Sequence, residues 1–287
     1  LCVVSRREDM PYSLSKGSGK VRSHMVHTRR VDSNTPIDEG ASWSEVEDIW
    51  RHHFSLDESP LARVKVMLED KEHWRFLSEV VGTEDKYYLY APEFTVCHYS
   101  DDERDGYEYY MLNQTDPSPS WYTIEIRYFQ TRIFDTLGIA LDSGRYFAPV
   151  PSRSFVRWDR RSLDFDLMYC YYTRDSLDWS LNEFFFDEDY GDARIARRRF
   201  LETVVIFQDE EERKGFEILL REHHSAFEEE MSEAPDPYGA EQLPEGYPQE
   251  AKDQATRELK AIPILKRMLE EFRDDPEGLR LPTSRDW

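Results

Sequence analysis

The residues in this chain whose type and spacing best suit recognition chemistry are two groups of arginines. Arg153, Arg157, Arg160 and Arg161 gather around Trp158, while Arg194, Arg197, Arg198 and Arg199 share one helix-like stretch. A guanidinium presents a planar fork of donors that matches a carboxylate or phosphate two bonds at a time, and its flat face stacks on aromatic rings. Such groups either dock a partner or neutralise nearby acids, here Asp187-Glu188-Asp189 and the acids of Asp209–Glu212. Internal pairing or a protein partner is favoured over an RNA or a lipid headgroup. A third basic group, Arg22, Arg29 and Arg30, lies in the N-terminal stretch, where the first 31 residues hold seven Lys or Arg against two acids.

Asp164-Phe165-Asp166 is the carboxylate pair to weigh as a metal site. Residues two apart on a strand share a face, so both carboxylates could hold a divalent ion. Arg160 and Arg161 offer them the plainer role of ion-pair partners on a solvated face. The adjacent pairs His52-His53 and His223-His224 would point about 100° apart on a helix and do not chelate one ion together. His224 and Glu228 have i,i+4 spacing, yet nothing nearby nominates a third ligand. Cys97 and His98 are neighbours on a candidate strand and face opposite sides, which opposes a dyad. Cys170, between Tyr169 and Tyr171, reads as a small apolar strand residue. Ser15–Lys20 has Gly and Lys without the spacing of a phosphate loop, and neither a nucleophile elbow nor a dinucleotide-binding glycine turn occurs. No cofactor and no metal is expected, Asp164 and Asp166 being the weak metal candidates.

Composition narrows the partner classes. Asp and Glu outnumber Lys and Arg by 59 to 37, for a formal charge of −22. That field repels polyanions, so a general nucleic-acid or anionic-membrane binder is disfavoured. No apolar run approaches the roughly 20 residues of a spanning helix; peripheral membrane contact stays open. Three scattered cysteines, Cys2, Cys97 and Cys170, without a CxxC pair, suit a reducing intracellular compartment rather than a disulfide framework. The hydroxyl-rich, acid-poor start reads like the remnant of an organellar presequence, which makes the mitochondrion one candidate compartment.

The elements that must position these residues belong to the α+β class. Residues 1–41 show no period and suggest an extended basic arm that lies against a partner, since alone it cannot bury enough surface to offset its ordering. Ser42-Trp43-Ser44-Glu45 reads as a capping box and Ser59-Pro60 as a second helix start. Leu61, Val64, Met67, Leu68, Trp74, Leu77 and Val81 continue at helical spacing, giving an N-terminal helical hairpin over Ser42–Val81. From Lys86 the period drops to two. The expected strands are Lys86–Tyr90, Phe94–Tyr99, Tyr107–Leu112, Trp121–Phe134, Arg145–Ala148, Phe155–Trp158 and Phe165–Thr173. Trp121–Phe134 is the clearest, with Tyr122, Ile124, Ile126 and Tyr128 alternating against Thr123, Glu125 and Arg127. Turn-forming residues, not helices, separate the strands, which means a central antiparallel and curved sheet of about six or seven strands.

Helices return in the C-terminal third. Ser176–Phe186 is short. Asp192–Phe207 is expected to bury Ile195, Phe200, Val204 and Phe207, and Asp209–Met231 to carry Phe216, Leu219, Leu220, His223 and Phe227 on one stripe. Ala251–Phe272 is a last helix kinked at Pro263. The plan is an arm over 1–41, an α+β core over 42–207, a helix over 208–234, a Pro/Gly linker over 235–249, and a C-terminal helix and tail over 250–287.

With no catalytic motif, the sequence points to a non-catalytic accessory or scaffold subunit of a larger assembly. It would dock on other protein subunits through its N-terminal arm and its surface arginines and aromatics. One alternative is an enzyme or small-ligand binder with a pocket in the aromatic sheet, Asp164 and Asp166 serving as polar groups. Another is an RNA-associated factor using the arginine clusters.

Overall fold

The computed structural model describes residues 59–274 apart from 78–84, 106–108, 112, 117, 160, 190 and 238–247, together with the short pieces 15–19, 23–26, 29–30, 33–34, 40–42 and 46–47. The chain divides into two compact units, residues 1–64 and 65–287. In the first, strands β1 (Arg29–Arg30) and β2 (Ser33–Asn34) pair antiparallel. Helix α1 (Pro60–Glu69) begins as its sequence proposes: Ser59 Oγ accepts from the Ala62 amide at 3.2 Å, and Pro60 stands where a missing N–H costs nothing. It stops at Glu69, well short of Val81. Lys71–His73 form a 3-10 turn, and Trp74 opens a strand while its indole Nε1 donates to Met67 O at 2.8 Å. The helical spacing from Met67 to Trp74 was therefore a contact across a turn. Most of the hairpin's first arm lies outside the described residues.

Six strands form one antiparallel, curled sheet in chain order: β3 (Trp74–Phe76), β4 (Lys86–Tyr88), β5 (Ala91–Ser100), β6 (Ser120–Tyr128), β7 (Thr131–Leu141) and β8 (Tyr146–Pro149). The alternation holds at the centre of β6, with Ile124 and Ile126 at 0% exposure. Tyr122 and Tyr128, however, are half-buried like Thr123, Glu125 and Arg127, and Trp121 on the polar side of the pattern is buried. The expected single strand over Trp121–Phe134 is instead a hairpin. The chain reverses at Phe129-Gln130, whose φ values are 46° and 65°. A two-residue turn with both central residues left-handed follows the right-handed twist of its strands. Asn-Gly or Asp-Gly would announce such a turn; Phe-Gln conceals it. Gly138 on β7 marks a close approach, because a Cβ there would lie 2.8 Å from Ile124 Cδ1.

A second sheet has the order β11-β10-β9, built from β9 (Ser152–Val156), β10 (Leu167–Thr173) and β11 (Val205–Phe207). β10 runs antiparallel to β9 and parallel to β11. Tyr109–Met111, from the expected strand Tyr107–Leu112, is loop; Tyr109 and Met111 are buried there as plugs of an apolar cluster, not as members of a ladder.

The helices are α2 (Leu177–Phe185), α3 (Ala193–Glu202), α4 (Glu210–Glu222), α5 (His224–Glu233) and α6 (Gln249–Asp274). The expected helix over Asp192–Phe207 ends at Glu202, because Val204-Val205-Ile206 is β-branched and extends into β11. The face that α3 buries is Ala193, Ala196 and Phe200, leaving Ile195 at 42% exposure. The single helix expected over Asp209–Met231 breaks at His223, which is exposed and sits at φ −107°, ψ 18°. α6 runs with Pro263 inside it. One core lies where α4, α5 and α6 cover the second sheet, centred on Phe207, Phe216, Phe227 and Leu265. Another joins Trp121, Ile139 and Tyr146 of the large sheet to Tyr172, Trp179 and Phe200. Among the described residues, no helix is long and apolar enough to cross a membrane.

Candidate functional site: a basic groove along α3

Flanking its buried face, α3 carries Arg194, Arg197, Arg198 and Leu201. Their i, i+3, i+4, i+7 spacing puts them on one stripe. This stripe forms one wall of a groove of about 660 Å³ that is also lined by Arg174, Trp179, Glu183, Phe186, Glu202, Ile206 and Lys266. Five cations thus face two carboxylates, in a chain whose net charge is −22.

The cations differ in what already holds them. The Arg197 guanidinium lies 4.2 Å from the Phe186 ring centre and ion-pairs with Glu183 through Nη2, while its buried Nε has no hydrogen-bond partner among the described residues. Lys266 Nζ donates to Leu201 O at 2.6 Å and Glu202 O at 3.2 Å, filling carbonyls at the end of α3. Burial pushes the Lys266 pKa down. Lys71 Nζ donates to Phe186 O at 2.9 Å and pins the segment that follows α2; burial lowers its pKa too. Arg194 approaches Glu188 only to 4.0 Å, both side chains being exposed. Arg174 stacks 5.4 Å from the Trp179 ring centre. Stacking occupies the face of a guanidinium and leaves its edge donors outward. Among the described residues, the side chains of Arg174 and Arg198 make no ion pair or hydrogen bond. The arrangement therefore offers two open forks, Arg174 and Arg198, and a third, Arg194, that is only weakly held. Open guanidinium forks bind oxyanions.

Three of the four clustered arginines of α3 meet in this groove. The fourth, Arg199, turns away to Thr115 Oγ1 at 2.6 Å and to the buried Asp142 at 3.7 Å. Of the other arginine group, Arg153 alone among the described residues makes a side-chain contact, while Arg157 and Arg161 are tied through their backbones. Arg153 lies 4.1 Å over the Tyr109 ring, the Arg157 carbonyl accepts from Arg221 Nε at 3.2 Å, and the Arg161 amide donates to Asp159 Oδ1 at 2.9 Å. Arg22 and Arg160 lie outside the described residues, and Arg29 and Arg30 form β1. Trp158 serves packing: its ring stacks on His224 at 6.0 Å and its Nε1 donates to Glu228 at 3.1 Å.

Asp164 and Asp166 sit in the connection before β10, not on a strand as expected. Asp166 Oδ2 accepts from the Trp158 amide at 2.7 Å while its own amide donates to Val156 O at 2.9 Å, so it ties the loop shut. The Asp164 amide donates to Ser162 Oγ at 3.2 Å. Among the described residues, no group of three or more metal-binding side chains occurs.

Two polar clusters escaped the sequence reading. Glu217 accepts from Tyr169 Oη at 3.1 Å, Arg213 Nη1 at 2.5 Å, Arg221 Nη2 at 3.3 Å and Ser154 Oγ. The i,i+4 ladder Arg213–Glu217–Arg221 was the available signal. In the other, Tyr109 Oη lies 2.7 Å from Cys170 Sγ, beside Glu258 and a cavity of about 30 Å³. Burial raises the pKa values of Tyr109, Cys170 and Glu258, keeping the thiol protonated and inert. No local spacing signals this cluster, since Tyr109 and Cys170 are 61 residues apart.

Comparison with known proteins finds no matching family model, no matching curated protein and no matching solved structure.

Proposed function

We propose that this protein is a non-catalytic accessory subunit that docks on other protein subunits of a larger assembly, with the α3 groove as a principal docking face. The observation that carries this reading is the pair of open guanidinium forks, Arg174 and Arg198, beside the weakly held Arg194, in a groove where Arg197 and Lys266 are internally held. The groove is lined by cations, two glutamates and apolar side chains, with no Ser, Cys, His or Asp among them. Such a lining can hold an oxyanion by its charge and apolar ligand surface by burial. The basic N-terminal arm is the second contact in this reading, with seven Lys or Arg against two acids.

The test is affinity capture of the full chain from its native source, followed by mass spectrometry. Arg174→Glu/Arg198→Glu is compared with the unaltered chain after equal thermal unfolding of the two has been checked. A defined set of subunits is expected with the unaltered chain and lost with the variant. An unaltered chain that is recovered alone, or a variant that keeps every partner, ends this reading.

A further inference from the structure

We infer that the α3 groove takes an extended acidic segment of a partner protein, with carboxylates at alternate positions. This rests on the docking reading above and adds the chemistry and spacing of what docks. Arg194 and Arg198 stand four residues apart on α3, so they rise about 6 Å apart along the helix axis. Side chains two residues apart on an extended chain share a face and lie about 6.6 Å apart. The two repeats match, and a segment running along α3 presents one carboxylate to each guanidinium.

This wall already engages carboxylates of the chain itself: Glu183 pairs with Arg197, and Glu188 reaches towards Arg194. A longer polyanion such as RNA would continue past these arginines over a chain whose formal charge is −22.

The probes are labelled peptides of equal charge, each carrying two glutamates among valines, and a short single-stranded RNA. In one peptide the glutamates alternate with valine, in a second they are adjacent, and in a third they are four apart. Binding to the full chain is read by fluorescence anisotropy at low salt. The alternating peptide is expected to bind most tightly and to weaken by about tenfold with Arg194→Glu/Arg198→Glu, as loss of charge-assisted bonds requires. Arg194→Gln/Arg198→Gln, which removes charge without reversing it, should show the same order of peptides more weakly. Equal binding of the other two peptides, tighter binding of the RNA, or binding that the charge reversal leaves unchanged would each overturn the inference. Should no peptide bind while Arg174→Glu/Arg198→Glu still loses its captured partners, the docking reading stands and this one falls. Retention of every partner by that variant would strike the docking reading itself.

Discussion

Two regions of this molecule are built from arginines beside carboxylates, and they end in opposite states. Under α4, Glu217 receives Tyr169, Arg213, Arg221 and Ser154 at once, and Arg213 also reaches Glu210 at 2.8 Å. The Arg213 and Glu217 side chains are 15% and 10% exposed. Along α3, Arg194 is 68% exposed, and its nearest acid stands at the limit of an ion pair. Low dielectric strengthens a satisfied network and punishes an unsatisfied one, so the first region must be closed. Water can solvate the second until something displaces it. Residue type is the same in both; saturation of the forks separates a closed network from donors left open to water.

The largest effect should come from opening the closed region. Glu217→Ala leaves the half-buried Arg213 and Arg221 without their shared acceptor and is expected to cost about 2–3 kcal/mol. Urea unfolding measures it. A loss below about 1 kcal/mol would mean that water enters and the region behaves like the groove.

The buried carboxyl of Glu258 supplies a contrast in pH. Burial raises its pKa above the ordinary 4.5, with the Cys170 hydrogen bond and Arg153 opposing. The folded chain therefore holds this proton more tightly than the unfolded one. Stability contributed by the neutral form is complete below pH 4.5 and declines as pH rises towards the folded-state value, then levels off. Glu258→Gln cannot ionise, so its stability relative to the unaltered chain should grow across that window. Parallel stability curves for the two chains would place Glu258 in water after all. A smaller change, Tyr169→Phe, removes one donor of several from Glu217 and should cost about 1 kcal/mol by the same unfolding measurement. Several kcal/mol there would make the hydroxyl, not the arginines, the group that closes the network.

What the sequence disclosed was local. The central alternation of β6 and the Ser59-Pro60 helix start each depend on neighbours within a turn or a pleat, and each stands in the structure. What it concealed depends on distant partners or on exceptions to composition. Phe129-Gln130 turns a hairpin without turn residues because the register of β6 against β7 demands it. Val204–Phe207 looks helical by period until β10 offers a parallel partner. Tyr109 meets Cys170 only after the fold is complete. The α3 arginines were visible as a group, but their division into held and open members was not, since Phe186, Glu183 and Asp142 reach them from other elements.

That division yields the finest comparison, between two neighbours in sequence. Arg197 is half-buried, stacked on Phe186 and paired with Glu183, whereas Arg198 is exposed and makes no ion pair or hydrogen bond among the described residues. Replacing Arg197 with alanine removes a cation–π contact and leaves Glu183 without its fork. A loss of about 1 kcal/mol is expected, near the middle of the range for partly desolvated contacts of this kind. Arg198→Ala removes nothing the folded chain uses and should stay within about 0.5 kcal/mol of the unaltered protein. Parallel thermal and urea unfolding of the two variants decides the matter. Equal losses would show that Arg198 is also engaged in the fold, and the groove would then keep one fewer open fork than recognition along α3 requires.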